Sequence, residues 1–323
     1  MSRPRIAVTG RIPEAGLTLL HEAGEVVAWD STEVPGVDQV HEMVRGADAI
    51  VTLLTTKVDD ALLDAAGPQV KIVANVAVGY NNIDVAACAR RGIVATNTPG
   101  VLTEATADIA MALVLMCTRR LGEGERVIRN REPWQWGMFY MLGTGIQGRQ
   151  LGIIGMGDIG RALARRARAF GMNIAYSNRK PVDNAVESEL GATFMSQDEL
   201  LATSDVVSLN CPYSPATHHL IGAAQLAAMK KSAFLVNTAR GPIVDEAALV
   251  DALRVGEIAG AGLDVFENEP AVHPGLLDCE QAVLIPHLGS ATVETRGAMA
   301  TLAARNVAAV LGGTPPPTPI PVP

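Results

Sequence analysis

Short apolar runs alternate with longer amphipathic stretches along most of the chain. In the first hundred residues the runs are three to six residues long, and the stretches between them have the 3.6-residue spacing of helices. Strands that alternate with helices require crossover connections, so they predict a parallel sheet with helices on both faces. The predicted strands of this part are residues 6–9, 26–29, 49–54, 72–75 and 93–95.

The same alternation restarts after residue 148. Before it, the pattern predicts one long helix at about 103–130, which Thr103 and Glu104 begin as capping and first-turn residues, and then a loop rich in Trp and Gly. The second region has enough strands for a complete doubly wound dinucleotide-binding domain. These strands are predicted at 151–154, 174–177, 206–209, 233–237, 260–263 and 283–285.

The last predicted helix, 292–311, is followed by a tail that carries six prolines. Proline has no N–H group to donate to a helix, so the tail cannot be helical. We expect the tail either to lie over the surface of the protein or to be disordered.

Composition narrows the classes of function. The 323 residues suggest two domains, and their net charge of −8 leaves no basic surface to neutralise the phosphates of a nucleic acid. No apolar stretch is long enough to cross a membrane, and the chain starts without an apolar signal segment. The four cysteines stand far apart without histidine at ligand spacing, which argues against disulfides and metal sites and indicates a cytoplasmic protein.

A glycine-rich motif follows the first strand of the second region and opens an amphipathic helix. It reads G-x-G-x-x-G and consists of Gly155, Met156, Gly157, Asp158, Ile159 and Gly160. The first glycine permits a tight turn, the second lets the backbone approach a pyrophosphate, and the third lets helix and strand pack closely. The motif predicts a dinucleotide-binding domain, and a bare strand–turn–helix corner is the alternative.

The end of the next strand indicates which dinucleotide is bound. No acidic residue stands between Asp158 and Asp183, where one would accept a hydrogen bond from a free ribose 2′-hydroxyl. The strand end instead offers a hydroxyl, an amide and two cations, from Ser177, Asn178, Arg179 and Lys180. These groups suit a 2′-phosphate, so we expect NADP(H) to be preferred, with NAD(H) still possible. An ordinary solvated turn is the alternative for the two cations.

Three polar residues stand just beyond predicted strands of the second region. They are Arg240, Glu269 and His287, and the carboxyl ends of strands in such sheets converge on the ligand crevice. Beside a dinucleotide these side chains suit the reduction of a carbonyl, because Arg orients a carboxylate, His donates a proton and Glu holds the imidazole. Asp264 and Glu267 are close enough in sequence to take the place of Glu269.

The order of these motifs resembles the D-isomer-specific 2-hydroxyacid dehydrogenase family over nearly the whole chain. The matching pieces are VAVGYNNID, TNTPGVLTEATADIAMALVL, LGIIGMGDIG, LVNTARGPIVDEAAL, AGLDVFENEP and IPHLGSAT. The resemblance implies a Rossmann cofactor domain, about 100–287, inserted in a flavodoxin-like substrate domain made of 1–99 and 288–323. It also implies a homodimer joined through the cofactor domains.

The resemblance also implies roles for matching residues. Arg240 would bind the substrate, and Glu269 and His287 would form the acid–base pair. The backbone amides of Val78 and Gly79 would bind the substrate carboxylate. Besides the glycine motif, residues 177–180 and His287, the residues implied for cofactor binding are Thr106, Pro212, Thr217, Thr238, Ala239 and Asp264.

Within the family, the segments LTEATADIAMALVL and NRK most resemble glyoxylate and hydroxypyruvate reductases. We therefore expect reduction of a small 2-oxo acid to the D-2-hydroxy acid. A reductase of 2-ketogluconate or another 2-oxo acid, and a non-catalytic cofactor-sensing scaffold, are the alternatives. Leu54 and Tyr140 are candidates for shaping substrate selectivity, and packing of the aromatic residues 134–140 in a dimer interface is an equally good explanation for that loop.

Overall fold

The computed structural model describes residues 3–322 and divides into two compact units. The first comprises Met1–Leu102 with Ala291–Pro323, and the second comprises Thr103–Ser290. The chain therefore leaves the first unit once and returns to it at the end. The units change at residues 102 and 290, where the sequence led us to expect changes at 99 and 287.

The first unit contains a five-stranded parallel sheet. Its strands are β1 (Arg5–Val8), β2 (Glu25–Ala28), β3 (Ala49–Thr52), β4 (Ile72–Asn75) and β5 (Val94–Thr96), in the order β2-β1-β3-β4-β5. Its helices are α1 (Glu14–Ala23), α2 (Val37–Val44), α3 (Asp60–Ala66), α4 (Val85–Arg90) and, from the returning segment, α13 (Val293–Leu311). Every residue of β3 and β4 is buried, as expected for central strands that helices cover on both faces.

The proline-rich tail lies along β5, the edge strand of this sheet. Thr96 and Pro319 form an antiparallel bridge, and the Ile320 N–H donates to the carbonyl oxygen of Ala95 at 2.8 Å. The side chain of Ile320 is buried in the core of the unit. Of the two arrangements expected for the tail, the structure has the ordered one, in which the tail covers an otherwise open sheet edge.

The second unit contains a seven-stranded parallel sheet. Its strands are β6 (Gln150–Ile154), β7 (Asn173–Ser177), β8 (Ala192–Phe194), β9 (Val206–Leu209), β10 (Phe234–Asn237), β11 (Gly260–Leu263) and β12 (Ala282–Leu284), in the order β12-β11-β10-β9-β6-β7-β8. Its helices are α5 (Thr103–Thr118), α6 (Leu121–Arg129), α7 (Asp158–Ala169), α8 (Asn184–Leu190), α9 (Gln197–Thr203), α10 (Ala223–Ala228), α11 (Glu246–Arg254) and α12 (Pro274–Leu277). The strand order reverses between β6 and β9, which is the Rossmann arrangement and creates a ligand crevice at their carboxyl ends.

These two strand orders confirm the predicted fold class, but two local predictions were wrong. The helix predicted at 103–130 is divided into α5 and α6, because Arg120 between them adopts a left-handed φ of 54°. The pattern also missed α8, β8 and the four-residue α12. Only one residue of α8 is buried and β8 has three residues, so neither carries a periodic apolar signal.

Candidate active site

The glycine motif forms the turn between β6 and α7, where the strand order of the second sheet reverses. Gly155 has a φ of 101°, and a Cβ there would collide with the backbone of Cys211. A Cβ on Gly160 would collide with the carbonyl oxygen of Gly155. At Gly157 a Cβ would meet no described atom within 4 Å, and no side chain caps the helix at this residue. The N-terminus of α7 therefore presents N–H groups and free space to an anion.

The segment after β7 is bound to this motif through one side chain. Asn178 Oδ1 accepts the N–H of Met156 at 2.8 Å, and Ser177 is the last, half-buried residue of β7. Arg179 and Lys180 are exposed and form no ion pair or side-chain hydrogen bond within residues 3–322. The sequence did not reveal that Asn178 positions the motif, because its partner is a backbone group.

Two buried polar atoms near the motif lack a hydrogen-bond partner among the described residues. They are Oδ1 of Asn210, just after β9, and Oγ1 of Thr238, just after β10. Buried polar atoms are normally hydrogen-bonded, so both are available to a polar ligand at the carboxyl edge of the sheet. Together with the space beside Gly157, they fit a nicotinamide dinucleotide, and the half-buried Ala239 follows on the same edge.

Pro212 and Thr217 lie in the loop after β9. Thr217 Oγ1 donates to the carbonyl oxygen of Pro212 at 2.9 Å and accepts the N–H of Ser214 at 2.8 Å. The hydroxyl of Thr217 therefore closes this loop on itself, and Pro212 remains exposed at the start of the loop.

Asn237, the last residue of β10, builds the turn that carries Arg240. Its Oδ1 accepts the N–H of Ala239 at 3.0 Å, and its Nδ2 donates to the carbonyl oxygen of Arg240 at 2.9 Å. Burial lowers the pKa of the Arg240 guanidinium from its usual value, and the charge of Glu269 opposes this effect. A guanidinium remains charged in proteins, so the turn presents a fixed cation.

Glu269 and His287 form a hydrogen-bonded pair. Glu269 Oε2 lies 2.8 Å from His287 Nδ1, and Glu269 Oε1 accepts the N–H of Phe266 at 3.0 Å. Burial raises the pKa of Glu269, but the hydrogen bond and charge of His287 and the charge of Arg240 outweigh it, so the pKa lies below its ordinary value. An ionised Glu269 accepts the proton on Nδ1, which leaves Nε2 of His287 available for another hydrogen bond.

Asp264 holds the backbone turn that carries His287. Its carboxylate accepts the N–H groups of Leu288 and Gly289, and its carbonyl oxygen accepts the N–H of His287 at 2.8 Å. His287 has a φ of 51°, and a left-handed conformation costs a non-glycine residue about 1–3 kcal/mol unless its surroundings impose it. Thr106 Oγ1 donates to the carbonyl oxygen of Gly289 at 3.1 Å. Asp264 and Thr106 thus fix the backbone turn from which the imidazole extends.

A second cluster of titratable side chains escaped sequence reasoning. His219 Nε2 lies 2.5 Å from Glu267 Oε1, and the N–H of Glu267 donates to Oε1 of the buried Glu246 at 2.8 Å. Burial raises the pKa of Glu246. The cluster ties the segment before α10 and the start of α11 to the loop that contains Glu269. Residues 219 and 267 are 48 positions apart, and no local pattern indicates their contact.

Val78, Gly79 and Leu54 lie in loops of the first unit. Val78 and Gly79 follow β4 and Leu54 follows β3, and all three residues are half-buried. Asn82 connects the two loops, because its Nδ2 donates to the carbonyl oxygen of Thr56 at 3.0 Å. The backbone around Val78 and Gly79 is therefore braced against the loop after β3.

The described residues contain no group of three or more His, Cys, Asp or Glu side chains arranged to hold a metal ion. No helix within residues 3–322 is long and apolar enough to cross a lipid bilayer. The cysteines are free, and they are Cys88, Cys117, Cys211 and Cys279.

The chain is similar to known 2-hydroxyacid dehydrogenases over nearly its whole length. Residues 111–289 match the model of the family described as D-isomer specific 2-hydroxyacid dehydrogenase, NAD binding domain. A glyoxylate reductase of Thermococcus onnurineus is 48% identical over 323 aligned residues, which cover 98% of this chain and 95% of the relative.

Two solved structures are similar in both fold and sequence. A glyoxylate reductase from Paecilomyes thermophila has a TM-score of 0.89 and 38% identity, and the match covers 99% of both chains. An NADPH-dependent glyoxylate/hydroxypyruvate reductase from Sinorhizobium meliloti, in complex with NADP and malonate, has a TM-score of 0.85 and 39% identity. That match covers 99% of this chain and 97% of the other.

Proposed function

The chain belongs to the D-isomer-specific 2-hydroxyacid dehydrogenase family, and from this premise we propose that it reduces a small 2-oxo acid to the D-2-hydroxy acid with NADPH. The substrate would be of the glyoxylate or hydroxypyruvate type, and the similarity to a glyoxylate reductase and to a glyoxylate/hydroxypyruvate reductase supports this. The observation that carries the proposal is the 2.8 Å contact between Glu269 and His287, with Arg240 close enough to affect the pKa of Glu269.

The cofactor would be held by the carboxyl edge of the second sheet. The N–H groups at the start of α7 and the open space beside Gly157 suit its pyrophosphate. The unpartnered oxygens of Asn210 and Thr238 suit its polar groups. When bound, NADPH supplies a hydride to C2 of the 2-oxo acid.

The side chains of the protein would manage the charges of the substrate. Arg240 binds the carboxylate and polarises the carbonyl, and the N–H groups of Val78 and Gly79 bind the carboxylate as well. His287 donates its Nε2 proton to the oxygen that becomes the hydroxyl, while Glu269 stabilises the imidazolium before the transfer. Negative charge develops on a single oxygen in the transition state. Charged groups that are already in position stabilise it most effectively, because they need not reorganise.

A spectrophotometric assay tests this function directly. Oxidation of NADPH and of NADH is followed by absorbance with glyoxylate, hydroxypyruvate, pyruvate and 2-ketogluconate, and the chirality of the product is determined. We expect the highest kcat/KM with glyoxylate or hydroxypyruvate and NADPH. Turnover of none of the four 2-oxo acids would refute the proposal and favour a non-catalytic cofactor-sensing role.

The preference for NADPH would come from the end of β7. Ser177 ends the strand, and the exposed Arg179 and Lys180 have no partner within residues 3–322, so they can pair with a 2′-phosphate. Replacing Ser177 with Asp should lower the ratio of kcat/KM for NADPH to that for NADH by roughly 10- to 100-fold, because a carboxylate there repels the phosphate. Ser188→Asp, on the exposed face of α8, adds the same charge and should leave the ratio unchanged.

The loop between α6 and β6 would join two copies of the chain into a homodimer. It exposes Trp134, Trp136, Met138 and Phe139, with Trp136 at 75% and Phe139 at 89% of their full accessible surface. Apolar side chains this exposed and adjacent are characteristic of interaction surfaces. We expect light scattering to give twice the chain mass of 33.8 kDa and a double change of Trp136 and Phe139 to Ser to shift the protein toward monomer.

The cysteines suit a reducing compartment such as the cytoplasm. Burial raises the pKa of Cys88 to about 11 and that of Cys117 to about 12, so both thiols stay protonated. A protonated, buried thiol is a poor nucleophile and does not form disulfides readily. We therefore propose a cytoplasmic location.

A further inference from the structure

The loop after β4 has three consecutive backbone carbonyl groups that are each held by a hydrogen bond. The carbonyl oxygen of Ala77 accepts the N–H of Thr98 at 2.9 Å. The carbonyl oxygen of Val78 accepts a hydrogen bond from Nδ2 of Asn97 at 2.7 Å. The carbonyl oxygen of Gly79 accepts one from Nδ2 of Asn75 at 2.9 Å. All three carbonyl groups of the loop are therefore fixed in direction.

The N–H groups of the same peptide units are fixed as a consequence. In a trans peptide the C=O and the following N–H point in opposite directions, so holding one orients the other. The N–H groups concerned are those of Val78, Gly79 and Tyr80, and none of them has a hydrogen-bond acceptor within residues 3–322. Backbone N–H groups that are held in place and have no acceptor are available to an anion such as a carboxylate.

One of these contacts leads to the proline-rich tail. Thr318 Oγ1 donates to the carbonyl oxygen of Asn97 at 2.6 Å, and the N–H of Asn97 donates back to the carbonyl oxygen of Thr318 at 3.4 Å. Asn306, a fully buried residue of α13, accepts the N–H of Thr318 at 3.0 Å and donates Nδ2 to its hydroxyl at 2.8 Å. A continuous chain of hydrogen bonds thus runs from α13 through the tail to Val78.

We propose that Thr318 and Asn97 are positioning residues, through which the C-terminal tail orients the N–H groups of Val78, Gly79 and Tyr80 toward the substrate carboxylate. This inference rests on the proposed function, in which Val78 and Gly79 bind that carboxylate. It adds Tyr80 as a third donor and assigns a role to the tail. Asn75 supplies the second side-chain anchor of the loop from the end of β4.

Loss of this positioning should weaken binding of the substrate carboxylate and should leave the rate of the chemical step nearly unchanged. The carboxylate is equally charged in the substrate and in the transition state, so the contact contributes uniform binding, whose loss raises KM and leaves kcat nearly unchanged. Dinucleotide binding depends on the second unit and should not respond. A residue that only stabilised the fold would instead lower the melting temperature without this separation of KM from kcat.

Two variants and two matched controls test the inference. Asn97→Ala removes the amide that holds the carbonyl of Val78, and Thr318→Val removes the hydroxyl that holds Asn97 while keeping the side-chain shape. Thr314→Val removes another tail hydroxyl, which bonds to the carbonyl oxygen of Ala309 at 3.0 Å. Asn173→Ala removes another amide that donates to a carbonyl oxygen, at 3.0 Å and in the second unit.

The measurements are KM and kcat for glyoxylate, the inhibition constant of oxamate, the Kd of NADPH, the melting temperature, and the amide resonances of ¹⁵N-labelled Gly79 and Tyr80. Asn97→Ala and Thr318→Val should raise KM and the oxamate constant roughly 5- to 20-fold, with kcat and the NADPH Kd within about twofold of wild type. The resonances of Gly79 and Tyr80 should shift or broaden in these variants alone.

The outcomes separate the two proposals. If wild-type protein reduces 2-oxo acids and both variants keep KM within twofold and the Gly79 resonance in place, the inference is wrong. If wild-type protein neither reduces any 2-oxo acid nor binds oxamate, the proposed function is wrong. In that case a Gly79 resonance that moves in the two variants still supports positioning of the loop by the tail, and one that stays in place overturns it.

Discussion

Replacing His287 with Ala should lower kcat by roughly 10²- to 10⁴-fold while leaving the Kd of NADPH nearly unchanged. The imidazole is the proton donor of the proposed reaction, and its Nδ1 lies 2.8 Å from Oε2 of Glu269. The backbone turn around it is held by Asp264, whose carboxylate bonds to main-chain N–H groups rather than to the imidazole ring. The substitution should therefore remove the donor without opening the turn.

Glu269→Gln separates the charge of the pair from its shape. The pKa of Glu269 lies below its ordinary value because the charge and hydrogen bond of His287 and the charge of Arg240 outweigh the effect of burial. The carboxylate is therefore ionised at neutral pH and places a negative charge beside the imidazole, which the neutral amide of Gln cannot do. We expect a smaller loss of kcat than in His287→Ala, with the cofactor affinity again preserved.

Stopped-flow or steady-state kinetics with saturating NADPH, together with fluorescence titration of NADPH, measures both effects. His41→Ala, in α2 of the first unit, is the control for removal of a histidine and should behave as wild type. A His287→Ala protein that retained more than a tenth of wild-type kcat would show that another group donates the proton.

The elements most readily predicted from the sequence were those whose residues are buried on both sides. β4 and β9 were predicted to the residue, because IVAN and VVSL are almost continuous apolar runs between polar turns. The division of α5 from α6 was not predictable, since Arg119 and Arg120 are good helix formers and no proline marks the break. The break is visible only in the backbone, as the left-handed φ of 54° at Arg120.

The candidate site shows the same division between local and tertiary information. Arg240, Glu269 and His287 were recognisable because each follows a strand whose end must reach the same edge of the sheet. Three hydrogen bonds of the site were not recognisable from the sequence. They join Asn178 to Met156, Asp264 to the turn of His287, and Thr318 of the tail to Asn97. Each of these contacts joins a side chain to a distant backbone group, and backbone groups are identical at every position of a sequence.

Replacing Gly241 with Ala should lower both the stability of the second unit and its activity. Gly241 directly follows Arg240, and a Cβ there would overlap the carbonyl group of Phe266 and the backbone nitrogen of Glu267. Backbone atoms cannot rotate away as a flexible side chain can, so the two loops must separate. We expect a loss of about 3 kcal/mol or more, which corresponds to a melting temperature lower by about 6–12 °C for a unit of this size.

The same separation should reduce kcat/KM by roughly 100-fold, since a displacement of about 1 Å between catalytic groups has effects of this order. The loop of Gly241 carries Arg240, and the loop that it would displace carries Glu269. Thermal unfolding and steady-state kinetics at a temperature well below the transition distinguish loss of geometry from loss of folded protein.

Gly157→Ala is the informative comparison, because the Cβ would meet no described atom within 4 Å and the φ of −82° suits alanine. Its melting temperature should stay close to that of wild type, while the KM for NADPH rises because the methyl group occupies the space through which the pyrophosphate approaches α7. A Gly241→Ala protein with wild-type stability and kcat/KM would mean that the two loops do not touch in solution. The close packing of the Arg240 and Glu269 loops would then no longer explain how the two side chains are brought together.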